Sequence, residues 1–222
     1  MIQTYTGEYA DAFGRESIEI VNDGERLRTI LRGFAFVACS FDDLTPSDRL
    51  VVEASKRFTL LTSGELCDYV LTARVPQILF EADREVESWL DVELRVGPAS
   101  PKGGVAFESL KLALSWGQQG MISTGEGGDF EAALVQIQGR LPNGLLMKHC
   151  FGCRFSDYFV AGNGLFGDMA CFKNVKEAYL CARTKHEFIA IWEKCDRQVQ
   201  ETFLCSEFEQ RAPGTGYRGS GS

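Results

Sequence analysis

From Ser17 to about Cys150 the dominant period of the chain is two, and that alternation restricts the fold more than any other feature. Leu90, Val92, Leu94 and Val96 alternate with Asp91, Glu93 and Arg95; Leu110, Leu112, Leu114 and Trp116 alternate with Lys111 and Ser115. Successive side chains of a strand point to opposite faces, so such runs read as half-buried antiparallel strands. Ile18 and Ile20, the turn Asn22-Asp23-Gly24 and then Leu27, Thr29 and Leu31 read as a hairpin. Phe34 to Cys39 is a short apolar run expected to be a strand buried on both faces. Ile78, Phe80 and Ala82 form a further apolar row, as do Val135 and Ile137, and Leu145 to Cys150 reads as the return strand of a hairpin turning at Pro142-Asn143-Gly144. Gly97-Pro98, Pro101 to Gly104 and Gly125 to Gly128 punctuate these runs as loops. Thr45 to Leu61 carries both helix-opening and strand signals and is left unassigned.

Roughly eight strands with turn signals every 8 to 15 residues predict a mainly β fold, an antiparallel β-sandwich or open barrel. A C-terminal Cys-rich α/β appendage follows. The expected division is residues 1–145 for the β-rich domain, 146–212 for the appendage packed on it and 213–222 for a tail. In the appendage, Asn174 to Arg183 has helical composition, and Thr184-Lys185-His186-Glu187 is a capping box ahead of Phe188, Ile189, Trp192 and Cys195 on one helical face. A last strand is expected from Gln198 to Phe208, with Val199, Glu201, Phe203 and Cys205 facing one way. Trp89 falls on the polar side of its strand and is expected at the seam with the appendage.

Composition excludes some functions. A formal charge of −8 argues against a protein that grips phosphate backbones, and it suits a basic protein partner. No apolar run approaches the ~20 residues that span a bilayer, and the N-terminus lacks a basic region followed by an apolar core. The expected setting is therefore the cytoplasm, with no nucleic-acid or membrane partner. Eight cysteines in that reducing compartment are not a disulfide framework. Each is a metal ligand, a reactive thiol or a small buried apolar residue.

Six of the eight lie in the last third. Cys150-Phe151-Gly152-Cys153 after a strand has the shape of a zinc knuckle, in which two thiolates face one ion and two further ligands close a tetrahedron. Cys171 and Cys205 are the expected partners. A site of Cys150, Cys153, Cys171 and Cys205 would be structural, with no open position for water. His149 is the rival ligand, although its place in the strand points it to the opposite face from Cys150. Cys39, Cys67 and Cys195 read as core, and Cys181 has no assigned role.

Two other constellations compete. Gly162-Asn163-Gly164-Leu165-Phe166-Gly167 matches Gly-x-Gly-x-x-Gly, with Glu187 about 20 residues on, and raises nucleotide binding. Phosphate cradling needs that loop to open a long helix within a parallel unit, whereas Gly-Asn-Gly also serves as a turn with positive φ. A thiolate nucleophile at Cys150 or Cys153 is the enzyme alternative, with only His149 and His186 available as bases. Ser156-Asp157-Tyr158 is expected to satisfy turn amides and pack rather than react.

The string from Cys150 to Phe172, together with Gly216-Tyr217-Arg218-Gly219, resembles an uncharacterised bacterial family of unknown function, the likeness covering the last third of the chain. Cys-x-x-Cys followed by Ser-Asp-Tyr is also similar to elements of some immunity proteins of bacterial toxin systems. Neither resemblance implies an active site. Together with the composition they point to a non-catalytic protein-binding module, of immunity or inhibitor type, held by a structural zinc cluster.

Overall fold

The computed structural model describes residues 2–47, 51–81, 84–117 and 120–212. The expected tail at 213–222, with its Gly216 to Gly219 motif, and Ala82 lie outside the described residues. The first half is an antiparallel meander of β1 (Gln3–Asp11), β2 (Gly14–Asn22), β3 (Leu27–Leu31), β4 (Phe34–Ala38) and the two-residue β5 (Thr45–Pro46). After the short helix α1 (Val51–Ala54) come the long hairpin β6 (Tyr69–Glu81) and β7 (Arg84–Val96), then β8 (Glu108–Trp116) and β9 (Met121–Gly127). The helix α2 (Phe130–Arg140) follows, and β10 (Leu145–Met147) returns to pair with Leu79 to Glu81 of β6. The sheet has ten strands in the order β5-β4-β3-β2-β1-β6-β7-β8-β9, with β10 beside β6.

The expected mainly antiparallel β architecture holds, and its main strands form one continuous sheet. Phe41, on the loop after β4, reaches over the apolar face of the central strands, its carbonyl accepting from the Tyr69 hydroxyl of β6 at 2.8 Å. Its ring stacks on that of Phe130, which opens α2, with centroids 5.8 Å apart and planes within 9°. Tyr5, Tyr9, Ile20, Leu71, Leu90 and Leu112 fill that face.

Several local expectations are corrected. β6 buries Tyr69, Leu71, Ala73, Val75, Gln77 and Leu79, so Ile78 and Phe80 stand on the opposite face from the core. Phe34 to Cys39 is buried on one face only, and Cys39 is exposed. Gly125 and Gly127 belong to β9 rather than to a loop. Val135 and Ile137 lie in α2, whose buried Phe130, Ala133, Leu134 and Ile137 recur at helical spacing behind an N-cap by Asp129. The helix explains Gly125: a Cβ there would sit 2.0 Å from the carbonyl oxygen of Ala133. α2 also closes the free edge of β9, for Gln136 Nε2 donates to the Glu126 carbonyl at 2.6 Å and Arg140 donates to that of Thr124 at 2.6 Å. Side chains thus occupy acceptors that an exposed edge strand would offer to another chain.

The C-terminal part holds a second sheet, β11 (Ser156–Tyr158), β12 (Met169–Cys171) and β13 (Arg197–Val199), with the helices α3 (Lys176–Cys181) and α4 (Lys185–Trp192). The capping box forms as expected on α4, Thr184 and Glu187 each taking the other's backbone N–H. Phe188 and Ile191 are its buried residues, whereas Ile189 faces outward. The last strand stops at Val199, nine residues short of the expected end. Phe155, Phe172, Tyr179 and Phe188 build a small core of their own, while Phe151, Leu165, Phe166 and Met169 join the core of the large sheet. Trp89 is not at the seam: it is 41% exposed on the outer sheet face, with the Arg74 guanidinium 5.1 Å from its ring centre.

Candidate metal centre and buried polar seam

β10 delivers the chain to His149, which is fully buried and caps a tight helical turn at Cys150–Gly152, its Nδ1 accepting from the Gly152 N–H at 3.2 Å. The turn sets Cys150 and Cys153 on either side, with the Cys153 N–H donating to the Cys150 carbonyl at 3.0 Å. Cys171 ends β12 opposite Ser156, and the Lys173 N–H hydrogen-bonds to its sulfur. Cys205 arrives on the segment after β13. That segment is fixed on both sides of it: the Phe203 carbonyl accepts from Cys150 N at 3.1 Å, and the Glu209 carbonyl accepts from Arg154 N at 2.7 Å. Lys173 reaches Glu207 at 2.9 Å and Lys176 reaches Glu209 at 2.7 Å, so alternate residues of the strap face the appendage.

The four cysteines chosen from sequence therefore come from three chain segments to one locality. Burial pushes the Cys150 thiol well above its ordinary range, and Cys153, Cys205 and Cys171 push it further, with Arg197 opposing. The Cys171 thiol is also raised, chiefly by burial and then by Cys153, Asp196 and Cys205, against the Lys173 N–H. Among the described residues, no three His, Cys, Asp or Glu side chains stand in an arrangement that could hold a metal ion. Cys67 is buried, Cys195 half-buried and Cys181 exposed.

Sequence reasoning missed a second feature beside this cluster. Gln200, Glu201 and Thr202 are consecutive and all buried, where alternation predicts one face in and one out. Glu201 Oε1 accepts from the Tyr158 hydroxyl at 3.0 Å and Oε2 from Gly167 N at 2.7 Å; Gln77 Nε2 donates to the Thr202 carbonyl at 3.3 Å. A run of three polar residues among apolar ones was the available signal. Burial raises the Glu201 carboxyl from 4.5 to about 7. Unfolded, the group loses its proton near its ordinary value; folded, it keeps it to about 7. Between those values the folded state binds more protons, so stability falls as pH rises, by on the order of 3 kcal/mol. Glu201→Gln, which keeps an acceptor for Gly167 N, is expected to flatten that fall in thermal unfolding between pH 5 and 8. An unchanged slope would contradict the assignment.

The Gly162 to Gly167 loop joins the antiparallel β11 and β12, and no helix opens from it. Instead it inserts Leu165 and Phe166 into the main core, Phe166 lying 4.6 Å from the Phe130 ring and 5.0 Å from that of Phe41. Phe130 N donates to the Leu165 carbonyl at 3.0 Å, so the loop is tied to the start of α2. Ser156 donates its hydroxyl to the Cys150 carbonyl, and Asp157 accepts from Tyr158 N and from the Tyr179 hydroxyl, both at 2.9 Å. His186 is exposed on α4.

No curated protein and no solved structure matches this chain. One family model does, over residues 3–156. That span contains the whole large sheet, α2 and the Cys150–Cys153 pair, and it ends before Cys171 and Cys205. The expected likeness to an uncharacterised family is thereby relocated from the last third of the chain to its N-terminal part. Matched over more than half its length, the chain belongs to the family of unknown function DUF6304.

Proposed function

We propose that this chain is a non-catalytic cytoplasmic protein-binding module of immunity or inhibitor type. In it a β-rich body, residues 1–145, carries an appendage, 146–212, stapled by one structural zinc on Cys150, Cys153, Cys171 and Cys205. The convergence of four thiols from three segments carries the reading. Two features support it. An N–H donated to a sulfur two residues back, as from Lys173 to Cys171, is the bond that stabilises a metal-bound thiolate. Four thiolates around a divalent ion leave two negative charges, and Lys173, Lys176 and Arg197 each interact electrostatically with one of these cysteines. The ion would draw the sulfurs together from where the protein alone places them, releasing their protons as it bound.

The enzyme alternative, a Cys150 or Cys153 nucleophile, needs a lowered thiol pKa and an access route. Burial and neighbouring sulfurs raise that of Cys150 instead. Nucleotide binding at Gly162 to Gly167 needs a free loop, and Leu165 and Phe166 are in the core. For a binding role the acidic balance of −8 favours a basic protein over nucleic acid, and among the described residues no helix is long and apolar enough to cross a membrane.

Thiol alkylation of the native protein separates these readings. The exposed Cys39 and Cys181 are expected to react at once, and the four cluster thiols only after a strong chelator is added. Rapid modification of Cys150 or Cys153 without chelator would transfer the weight to the enzyme.

A further inference from the structure

A groove of about 700 Å³ crosses the outer face of the large sheet from β6 to β9 and ends against α2. The small side chains of Thr72, Ala113 and Thr124 keep its floor low. Its walls are neutral in sum, Arg74, Lys111 and Arg140 standing against Asp91, Glu93 and Glu126. The chain as a whole carries a charge of −8, so its acidic surplus lies elsewhere. Copies of an acidic chain that repel one another over most of their surface meet no net repulsion here. The next row of the same face is apolar: register sets Pro76, Trp89, Ser115 and Ile122 side by side, with Trp89 and Ile122 exposed. The Arg74 guanidinium lies 5.1 Å from the Trp89 ring centre and 3.8 Å from Asp91, which holds the indole in place. An aromatic anchor of the kind that dominates protein interfaces thus stands preorganised beside a hollow.

The face is complementary to itself. Asp91, Glu93 and Glu126 are paired within the chain, with Arg74, Arg95 and Lys111. Glu87, which precedes Trp89 on the outer side of β7, and Arg140, which donates to the Thr124 carbonyl, have no oppositely charged partner among the described residues. Trp89 faces Ser115 and Asp91 faces Ala113, so Trp89 and Ala113 are diagonal neighbours about 7–8 Å apart. A two-fold axis in the plane of the interface, midway between them, lays each copy's Trp89 over the other's Ala113. With strands about 4.8 Å apart and alternate residues about 6.8 Å apart, the same rotation carries Glu87 to the edge of the other copy's β9. Arg140 stands there, against Thr124. The strands of the two copies cross steeply, as in orthogonal sheet packing.

We infer that the chain forms a two-fold homodimer through this outer face, Trp89 of each copy seated in the other's groove over Ala113 and Glu87 of each paired with the other's Arg140. A second copy is the occupant the face fits, because a basic partner would find no surplus of negative charge in a neutral groove. The contact goes beyond the binding-module reading and shares no residue with the cysteine cluster.

The test is sedimentation velocity of the full chain over a concentration series, in reducing buffer so that the exposed Cys39 and Cys181 cannot link copies. A monomer–dimer equilibrium is expected. Trp89→Ala should weaken dimerisation at least about thirtyfold and leave the far-ultraviolet circular dichroism unchanged, since the side chain lies outside the core. Glu87→Arg and Arg140→Glu should each weaken it about tenfold, and the two together should restore it, a rescue that a merely structural effect would not give. Arg140→Glu also removes a hydrogen bond to β9, so if that variant fails to fold, Glu87→Arg decides, its position being exposed and unpaired. A native chain that stays monomeric to its solubility limit would overturn the inference, whatever else then proved to bind the face. A dimer indifferent to Trp89→Ala or to Glu87→Arg would overturn it equally.

Discussion

Cys205→Ser is expected to release bound zinc and to lower the stability of the C-terminal appendage by about 4 kcal/mol or more. Structural zinc contributes on the order of 10 kcal/mol to the folding of small domains at neutral pH, and a site cut from four thiolates to three loses a large part of that. The location of Cys205 amplifies the effect. Its segment carries Phe203, whose carbonyl takes the Cys150 N–H, and Glu207 and Glu209, which pair with Lys173 and Lys176. Those two ion pairs are partly exposed and hold the strap only weakly by themselves. Phe208, on the same strap, lies 5.9 Å from the ring of Phe80 in β6, so a released strap also uncovers part of the outer sheet face. Denaturant unfolding with parallel metal analysis checks this. Cys181→Ser, at an exposed position, is the control and should change stability by less than about 0.5 kcal/mol. If Cys205→Ser behaved like that control, no metal would be acting through this residue.

Phe130→Ala is the second large effect, expected at about 3–5 kcal/mol in global unfolding. Phe130 is fully buried where three parts of the chain meet: Phe41 from beyond β4, Phe166 from the Gly-rich loop and α2 itself. Removing its ring leaves a cavity walled by two aromatic rings that are themselves fixed by backbone, so little collapse can offset the loss. Because Phe130 opens α2, and α2 packs on β9, the variant should also show faster amide exchange in β9 and α2 than in β6 and β7. A uniform loss of protection would mean that the contact is not local to α2 and β9.

What could be read from the chain, and what could not, follows from the kind of interaction involved. β7 and β8 were legible because one face is solvent and one is core, so charge and hydrocarbon alternate strictly along Leu90 to Val96 and Leu110 to Trp116. β6 misled at Ile78 and Phe80. Its outer face is itself partly covered, by Lys148 over Phe80 and by Phe208, so apolar residues appear on both faces and the phase is ambiguous. α2 was mistaken for strand because Val135 and Ile137 alternate locally; the full interval from Phe130 to Ile137, with Asp129 ahead of it, carries the helical period. The four cysteines could be proposed as a set because a Cys-x-x-Cys followed by two further cysteines offers few chemical roles. The buried run Gln200 to Thr202 was not, since its partners Asn22, Gln77, Tyr158 and Gly167 are distant in sequence and only the fold assembles them.

Zinc stoichiometry of the full chain, purified without added metal or a chelating tag, with X-ray absorption at the zinc edge to identify the ligands, tests the central claim most directly. The account predicts one zinc per chain with four sulfur ligands at about 2.3 Å. Metal-free protein that is nonetheless folded and stable, or zinc held by nitrogen and oxygen ligands, would contradict it.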